Sequence, residues 1–251
     1  MGIEIEKKGK ITIITINNPV VKNAIDAQSA LELVKAFREF EEDKYSRVAV
    51  LCGSEGNFCS GANLKAIENG TGNKLEREGD GPMGPTRMML SKPVVAAISG
   101  YAVAGGLELA LWCDLRIIEK NGIMGVFNRR WGIPLIDGGT IRLPRIIGLG
   151  RALDLILTGR PVTAEEALMM GLVTRVVDVG FAKAEAEKLA EQLADFPKTC
   201  LRHDRLSIYE QYNYSLTKAL ENEFTHGLES LQEMQEGIKR FTKGEGRHGE
   251  F

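Results

Sequence analysis

Two segments of this sequence share one design, in which a short apolar strand runs into a glycine-containing turn that opens a helix. In the first, the strand pattern at 48–51 leads into the run F-C-S-G-A-N-L-K at 58–65. In the second, the pattern at 94–98 leads into G-Y-A-V-A-G-G-L-E-L-A at 100–110. Free N–H groups at the start of a helix favour negative charge, so two such turns aimed at one point would form an oxyanion hole. Strand–glycine–helix corners also serve packing in α/β folds, so the residues alone leave both interpretations open.

The segments around these turns alternate between strand and helix patterns. The run at 11–16 is β-branched throughout, which is typical of a strand, and Asp26 is placed to cap an amphipathic helix. Thr163 begins a capping box, and Gly171 is placed to end the helix that follows. The glycine-rich, charged stretch at 68–86 predicts a mobile loop. The alternation predicts an α/β fold.

From about Gly180 onward the pattern is helical. Apolar side chains recur at steps of three or four and predict one long helix with an apolar stripe, formed by Leu216, Leu220, Phe224, Leu228, Leu231, Met234, Ile238 and Phe241. The stripe packs either against the chain's own core or on a neighbouring subunit, and the sequence leaves both open. We therefore divide the chain into a core at 1–195 and a C-terminal helical region at 196–251.

Composition and charge exclude several classes of partner. The 251 residues carry 32 basic and 34 acidic side chains, a net charge of -2, which gives no electrostatic reason to expect nucleic acid. No apolar run approaches the roughly 20 residues of a membrane helix, and the N-terminus has no apolar leader, so we expect a cytoplasmic protein. The cysteines and histidines are scattered without metal-ligand spacing, and we expect no metal.

The two glycine-turn runs, about forty residues apart, resemble the paired motifs of the crotonase (enoyl-CoA hydratase/isomerase) superfamily. Two further runs strengthen the resemblance: G-I-P-L-I-D-G-G-T-I-R-L-P-R-I-I-G at 132–148 and L-T-G-R-P-V-T-A-E-E-A-L-M-M-G-L-V at 157–173. The resemblance implies a spiral of ββα units followed by helices that mediate homotrimers, often paired into homohexamers. It also implies an acyl-CoA substrate, with coenzyme A as part of the substrate and no separate cofactor.

Carried over residue by residue, the resemblance assigns the chemistry to three positions. The backbone N–H groups of Ala62 and Gly105 match the two oxyanion donors to the thioester oxygen. Glu108 matches the first of the two catalytic glutamates of the hydratases. Its alternative role is that of a first-turn glutamate complementing the helix dipole. A carboxylate beside a bound apolar acyl chain would be partly desolvated and more basic, which suits a general base.

The resemblance also assigns residues to coenzyme A binding: Lys22, Asn23, Ala24, Lys65, Phe241 and Lys243. Lys65 matches a position near the phosphates, and the run at 22–24 falls where the nucleotide end sits. Phe241 matches an aromatic position near coenzyme A. The lysine expected three residues later is Gly244, and Lys243 is its substitute. Lys22 or Lys65 could instead be a solvated surface side chain.

The pattern departs from the family at the second catalytic glutamate, which is Asn128 here. Asparagine can hold a water or a substrate oxygen but cannot exchange a proton near neutral pH. A general acid or base contributes a factor of about 10² to 10⁴ in rate, so the substitution argues against fast hydration by two glutamates. Asp137 could replace the lost acid, or it could cap the following helix. The run at 129–131 is either a pocket for a substrate carboxylate or an exposed basic turn.

Three functions therefore remain open. The first is a hydratase or isomerase of acyl-CoA thioesters that uses an oxyanion hole and a glutamate acid/base. The second is an isomerase or decarboxylase that works with one carboxylate. The third is an acyl-CoA-binding protein without turnover. The sequence does not rank the acyl groups.

Overall fold

The computed structural model describes residues 2–245 as a set of strands and helices. The strands are β1 (Gly2–Lys8), β2 (Ile11–Asn17), β3 (Val48–Gly53), β4 (Val94–Ile98), β5 (Tyr101–Val103), β6 (Leu115–Glu119), β7 (Ile123–Gly125), β8 (Val162–Thr163) and β9 (Arg175–Val177). The helices are α1 (Ala27–Glu42), α2 (Leu64–Glu68), α3 (Gly105–Trp112), α4 (Gly139–Ile147), α5 (Leu149–Thr158), α6 (Ala164–Met169), α7 (Ala182–Asp195), α8 (Lys198–Glu210), α9 (Leu216–Ser230) and α10 (Met234–Thr242).

The strands form two sheets, and the chain spirals between them. The larger sheet has the order β1-β2-β3-β4-β6-β9, and the smaller has the order β5-β7-β8. Only the β1–β2 pair of the larger sheet is antiparallel in the described range. The chain places β4 in the larger sheet and β5 in the smaller one, and then forms α3; it repeats this course with β6, β7 and α4. This strand–strand–helix repeat is the ββα spiral, and the α/β class is confirmed.

Both faces of the larger sheet are buried along its central strands β2, β3, β4 and β6, because side chains there alternate between two hydrophobic clusters. Ile11 lies in the cluster that includes α7, whereas Ile14 lies in the cluster that includes α1 and α3. Burial on both faces explains why the parallel strands are apolar almost throughout. Leu51 of β3 pairs with Ala96 of β4 in parallel register. The glycine turns that follow these two strands therefore leave from the same edge of the sheet.

The helix caps predicted from local sequence are confirmed. The Asp26 side chain accepts a hydrogen bond from Ser29 N–H (2.8 Å) at the start of α1. Thr163 accepts from Glu166 N–H (3.3 Å) at the start of α6, and Gly171 follows that helix with a φ of +78°. Each cap depends on residues within a few positions along the chain, which is why the sequence indicates them directly.

The glycine-rich stretch at 68–86 differs from its prediction in one part. Its first half is mostly exposed and irregular, whereas residues 81–86 are buried, with Met83 only 1% exposed. Thr86 belongs to a short 3₁₀ turn, Pro85–Arg87. A mobile loop is therefore the wrong description of residues 81–86, which pack inside the molecule.

The C-terminal helices present an apolar surface. Arg205 of α8 contacts the core through Asp114, with Nε 2.7 Å from Oδ1. The predicted single long helix is divided into α9 and α10 by a 3₁₀ turn, Leu231–Glu233. The stripe is exposed, with Leu216 at 76% and Phe224 at 68%. The alternative in which it packs against the chain's own core is therefore wrong. No helix within residues 2–245 combines the length and apolarity needed to cross a bilayer.

Candidate active site

The two glycine turns lie side by side and are joined by backbone hydrogen bonds. Cys59 N–H donates to Tyr101 O (2.9 Å), and Val103 N–H donates to Cys59 O (3.1 Å). Phe58 N–H donates to Ser99 O (2.8 Å) in the same ladder. These bonds fix the first turn against the second before either helix begins, so the starts of α2 and α3 are held close together.

Glycine is required at this junction by the close approach of the two backbones. Gly61 has a φ of +101°, and a Cβ there would lie 2.9 Å from Ala104 Cβ and 3.1 Å from Gly105 N. A Cβ on Gly106 would lie 2.1 Å from Cys59 O, a distance that only glycine avoids. Glycine tolerates the left-handed region and the close approach because it has no Cβ. The motif glycines therefore bring the two turns within contact distance.

The proximity brings together two backbone donors, Ala62 N–H and Gly105 N–H. Within residues 2–245 neither N–H donates a hydrogen bond to the protein. Ala104, which caps α3, has a φ of +54° and a ψ of −126°, a conformation that costs a non-glycine residue about 1–3 kcal/mol. This strained residue orients the first peptide of the helix. The arrangement can accept a negatively charged oxygen between the two turns.

Glu108 lies in the first turn of α3, three residues after Gly105, and its side chain faces inward. It is 2% exposed, and its Oε1 accepts hydrogen bonds from Asp137 N–H (2.9 Å) and Gly139 N–H (2.8 Å). Burial raises the pKa of Glu108 to about 7 and outweighs the hydrogen bond from Gly139, which lowers it. A carboxyl group with this pKa can both accept and release a proton near neutral pH. Complementing the helix dipole does not require such burial.

Comparison with known proteins agrees with this geometry. The family model described as enoyl-CoA hydratase/isomerase matches residues 6–249. This chain belongs to the enoyl-CoA hydratase/isomerase family. A probable mitochondrial enoyl-CoA hydratase of Dictyostelium discoideum is 32% identical over 240 residues, covering 95% of this chain and 87% of that protein. A carnitinyl-CoA dehydratase of Salmonella arizonae is 38% identical over 194 residues, covering 76% of this chain and 74% of that protein.

A solved structure extends the family resemblance to the fold. The crystal structure of an enoyl-CoA hydratase from Mycobacterium tuberculosis H37Rv matches with a TM-score of 0.91 and 32% identity. The match covers 96% of this chain and 95% of that one. Membership in the crotonase superfamily, expected from the sequence runs, is confirmed.

The position matched to the second family glutamate is occupied by a buried amide. Asn128 lies in the 3₁₀ turn Phe127–Trp131 and is 5% exposed. Its Nδ2 donates to Ile133 O (2.8 Å), which closes the turn. Its Oδ1 is buried and has no hydrogen-bond donor within residues 2–245. An unpaired buried acceptor is costly, so this oxygen is suited to a donor brought by water or substrate.

Asp137 does not cap α4, so that interpretation is wrong. The N-cap of α4 is Gly138, and no side chain caps the helix. Asp137 Oδ1 instead accepts hydrogen bonds from Met83 N–H (2.9 Å) and from the Thr86 hydroxyl. Burial raises the pKa of Asp137. The Asp137 carboxyl group holds the buried residues 81–86 in place, and the Asp137 backbone N–H donates to the Glu108 carboxyl group.

The basic run after Asn128 is engaged with the backbone of its neighbours. Arg129 Nε donates to Ile156 O (3.1 Å), and Arg130 donates through Nε and Nη2 to Gly159 O (3.1 and 2.8 Å). Trp131 is 72% exposed. The two arginines attach the 3₁₀ turn to the end of α5, which accounts for them without a substrate carboxylate.

The residues matched to coenzyme A binding lie in different environments. The Lys22 ammonium lies 4.6 Å from the centre of the Tyr101 ring, and Lys65 is exposed on α2. Asn23 is fully buried and donates to Ser54 O (2.9 Å) and Asn57 O (2.7 Å), so its side chain shapes the loop. Ala24 is 6% exposed. At the other end of the chain, the structure places Phe241 in the last turn of α10, 59% exposed, and Lys243 at the C-cap of that helix.

Two residues near Glu108 were not indicated by the sequence. Met83 is placed against Gly105, where an added Cβ would lie 2.7 Å from the methionine sulfur. Arg142 donates through Nη1 to Asp137 O (2.9 Å) and through Nη2 to Thr86 O (2.6 Å). Arg142 lies in the G-G-T-I-R-L run, so the motif marks its position but not its partners. Met83 belongs to no motif.

Proposed function

We propose that this protein moves a proton on an acyl-CoA thioester, with Glu108 as its acid/base. Ala62 N–H and Gly105 N–H bind the thioester oxygen and stabilise the enolate that forms when a proton leaves or joins the acyl chain. Glu108 takes the proton at one carbon and returns it at another, or orients a water molecule for addition. The observation that carries the proposal is a buried glutamate with a pKa near 7 in the helix turn that follows Gly105.

Within this family the missing second carboxylate favours the reactions that need one acid/base. Hydration by two glutamates requires a proton donor opposite the first, and Asn128 is not one. A double-bond shift can proceed through a single carboxylate that carries the same proton between two carbons. Decarboxylation requires only that the enolate be stabilised and then protonated. We therefore rank isomerisation and decarboxylation above hydration.

We also propose that the chain assembles as a homotrimer or homohexamer through the apolar stripe of α9 and α10. The stripe is exposed along its length, and an exposed apolar surface of this extent is typical of an interface. Light scattering at micromolar concentration is expected to give three or six times the chain mass of 27.6 kDa. A monomer at that concentration would contradict the assembly.

The reaction is tested by incubating the purified protein with a panel of 2-enoyl-, 3-enoyl-, 3-hydroxyacyl- and malonyl-type CoA esters. Product masses separate the outcomes, because hydration adds water, decarboxylation removes carbon dioxide, and isomerisation leaves the mass unchanged but moves the elution time. Isomerisation or decarboxylation is the expected result. Binding without turnover of any ester would favour an acyl-CoA-binding protein instead.

A further inference from the structure

A cavity with a volume of about 840 Å³ opens between the end of α3, helix α4 and the last turns of α8. Ala62, Gly105, Glu108 and Asn128 do not line it. Gly138 lines it, and the N–H of the next residue, Gly139, donates to Glu108. The cavity is therefore a neighbour of the candidate active site and not part of it. This volume is within the range of small-molecule sites.

The cavity combines apolar walls with an excess of positive charge. Its apolar lining includes Trp112, Leu135, Ile141 and Ile208. Its charged lining is Arg87, Arg116, Arg142, Arg145, Arg205 and a single carboxylate, Asp114. Soluble proteins seldom collect five guanidinium groups around one carboxylate in an apolar recess, because the like charges repel one another.

The single carboxylate is already neutralised. Asp114 Oδ1 lies 2.7 Å from Arg205 Nε and accepts a hydrogen bond from the Tyr209 hydroxyl at 2.7 Å. The other four arginines form no ion pair with any residue in the described range 2–245. Two of them, Arg116 and Arg142, are held by backbone carbonyls, which satisfy hydrogen bonds without cancelling charge. The lining residues therefore carry more positive than negative charge, although Glu108 and Asp137 lie close enough to Arg142 to offset part of its charge.

Arg145 is the arginine best placed to meet a ligand. Its guanidinium Cζ lies 4.0 Å from the centre of the Tyr212 ring, and the guanidinium makes no hydrogen bond to the described chain. Its N–H groups, which have no acceptor within residues 2–245, match the two oxygens of a carboxylate. The apolar walls next to it suit a hydrocarbon body.

We propose that this cavity binds an amphipathic monocarboxylate, a carboxylic acid with a medium-length hydrocarbon chain. The carboxylate pairs with Arg145, and the hydrocarbon lies against the wall formed by Trp112, Leu135 and Ile141. A phosphate would satisfy the charge but not the apolar lining, and an uncharged alcohol would satisfy the lining but not the charge.

The test uses tryptophan fluorescence. The chain has two tryptophans, and Trp131→Phe leaves Trp112, which lines the cavity, as the only reporter. When the Trp131→Phe protein is titrated with decanoate, the Trp112 emission is expected to change until binding saturates. Decanol and inorganic phosphate are expected to bind at least about tenfold more weakly. Saturating butyryl-CoA keeps the thioester site occupied during the titration.

Variants assign the binding to the arginine. Arg145→Gln keeps the length of the side chain and is expected to weaken decanoate binding about tenfold or more. Arg175→Gln, on exposed strand β9 and away from the cavity, is the matched control and is expected to leave binding unchanged. Ile141→Phe narrows the cavity without adding a tryptophan and provides a second way to weaken binding if Arg145→Gln does not fold.

Three results would overturn the proposal. The first is an absence of decanoate binding to the folded protein, including the case in which a second copy of the chain covers the cavity. The second is a decanoate affinity in both the Arg145→Gln and the Ile141→Phe variants that equals the affinity of the Trp131→Phe parent. The third is displacement of decanoate by butyryl-CoA, which would place it in the thioester site.

Discussion

Glu108 and Asn128 occupy the positions matched to the two family glutamates, and their surroundings differ. The Glu108 carboxyl accepts two backbone hydrogen bonds and has a pKa near neutrality. The Asn128 amide makes one hydrogen bond, to Ile133 O, and leaves its oxygen unpaired. The Glu108 position is therefore equipped to exchange a proton, whereas the Asn128 position offers only an unpaired acceptor. Under the proposed function, proton transfer depends on Glu108 alone.

The largest effect is expected at the proton-transferring side. Glu108→Gln keeps an oxygen able to accept from Asp137 N–H and Gly139 N–H but cannot carry a proton. Turnover of the ester identified by the mass assay should fall about 10²- to 10⁴-fold in kcat, with little change in acyl-CoA affinity. Steady-state kinetics and equilibrium binding measure the two quantities separately.

A matched control separates catalysis from the helix dipole. Glu165 is an exposed first-turn glutamate of α6, so Glu165→Gln removes the same charge from the first turn of another helix. It should leave turnover unchanged. Equal kinetics in Glu108→Gln and the parent would mean that Glu108 only complements the dipole of α3.

The next effect is a gain at the other side of the site. Asn128→Glu introduces a proton donor where the family has its second glutamate, and crotonyl-CoA hydration should rise at least about tenfold. The gain should disappear when Glu108→Gln is added. Asn128→Gln, which has the same length but no exchangeable carboxyl proton, is the control and should not gain activity. A folded Asn128→Glu protein that binds crotonyl-CoA without faster hydration would mean either that position 128 does not face the substrate or that Asp137 already serves as the acid.

A smaller effect is expected at Asp137, whose backbone N–H donates to Glu108. Asp137→Ala leaves Met83 N–H and the Thr86 hydroxyl without their acceptor, so the free energy of unfolding should fall by about 1–3 kcal/mol. Asp137→Asn keeps an acceptor oxygen and should retain most of the stability and turnover. Denaturant unfolding measures the change in stability, and steady-state kcat measures the change in turnover. If Asp137→Asn loses turnover while it stays folded, Asp137 is the acid and the site has two carboxylates after all.

Those parts of the fold that depend on neighbouring residues could be predicted from the sequence. The strands before the glycine turns, the Asp26 cap and the Thr163 cap each follow from residue types a few positions apart. Asp137 was misassigned because its partners, Met83 and Thr86, are more than fifty residues away along the chain. No local pattern encodes that contact.

The same distinction applies to the site and to the C-terminal helices. Ala62, Gly105 and Glu108 could be predicted because the turns that carry them have a recognisable sequence. The pKa of Glu108 depends on burial by distant segments, so the sequence indicates only the direction in which this pKa shifts. The break in the long helix at Leu231–Glu233 has no proline or other breaker to mark it.

The pH dependence of kcat/KM for the turned-over ester tests the central claim most directly. Glu108 must be ionised to take a proton from the acyl chain, and burial raises its pKa to about 7. For isomerisation we therefore predict that kcat/KM rises with pH and levels off above about pH 7, and for decarboxylation, in which Glu108 must donate a proton to the enolate, we predict a fall over the same range. Either step should disappear in Glu108→Gln. A rate independent of pH between about 5.5 and 8.5, or the same step in Glu108→Gln, would contradict the central claim.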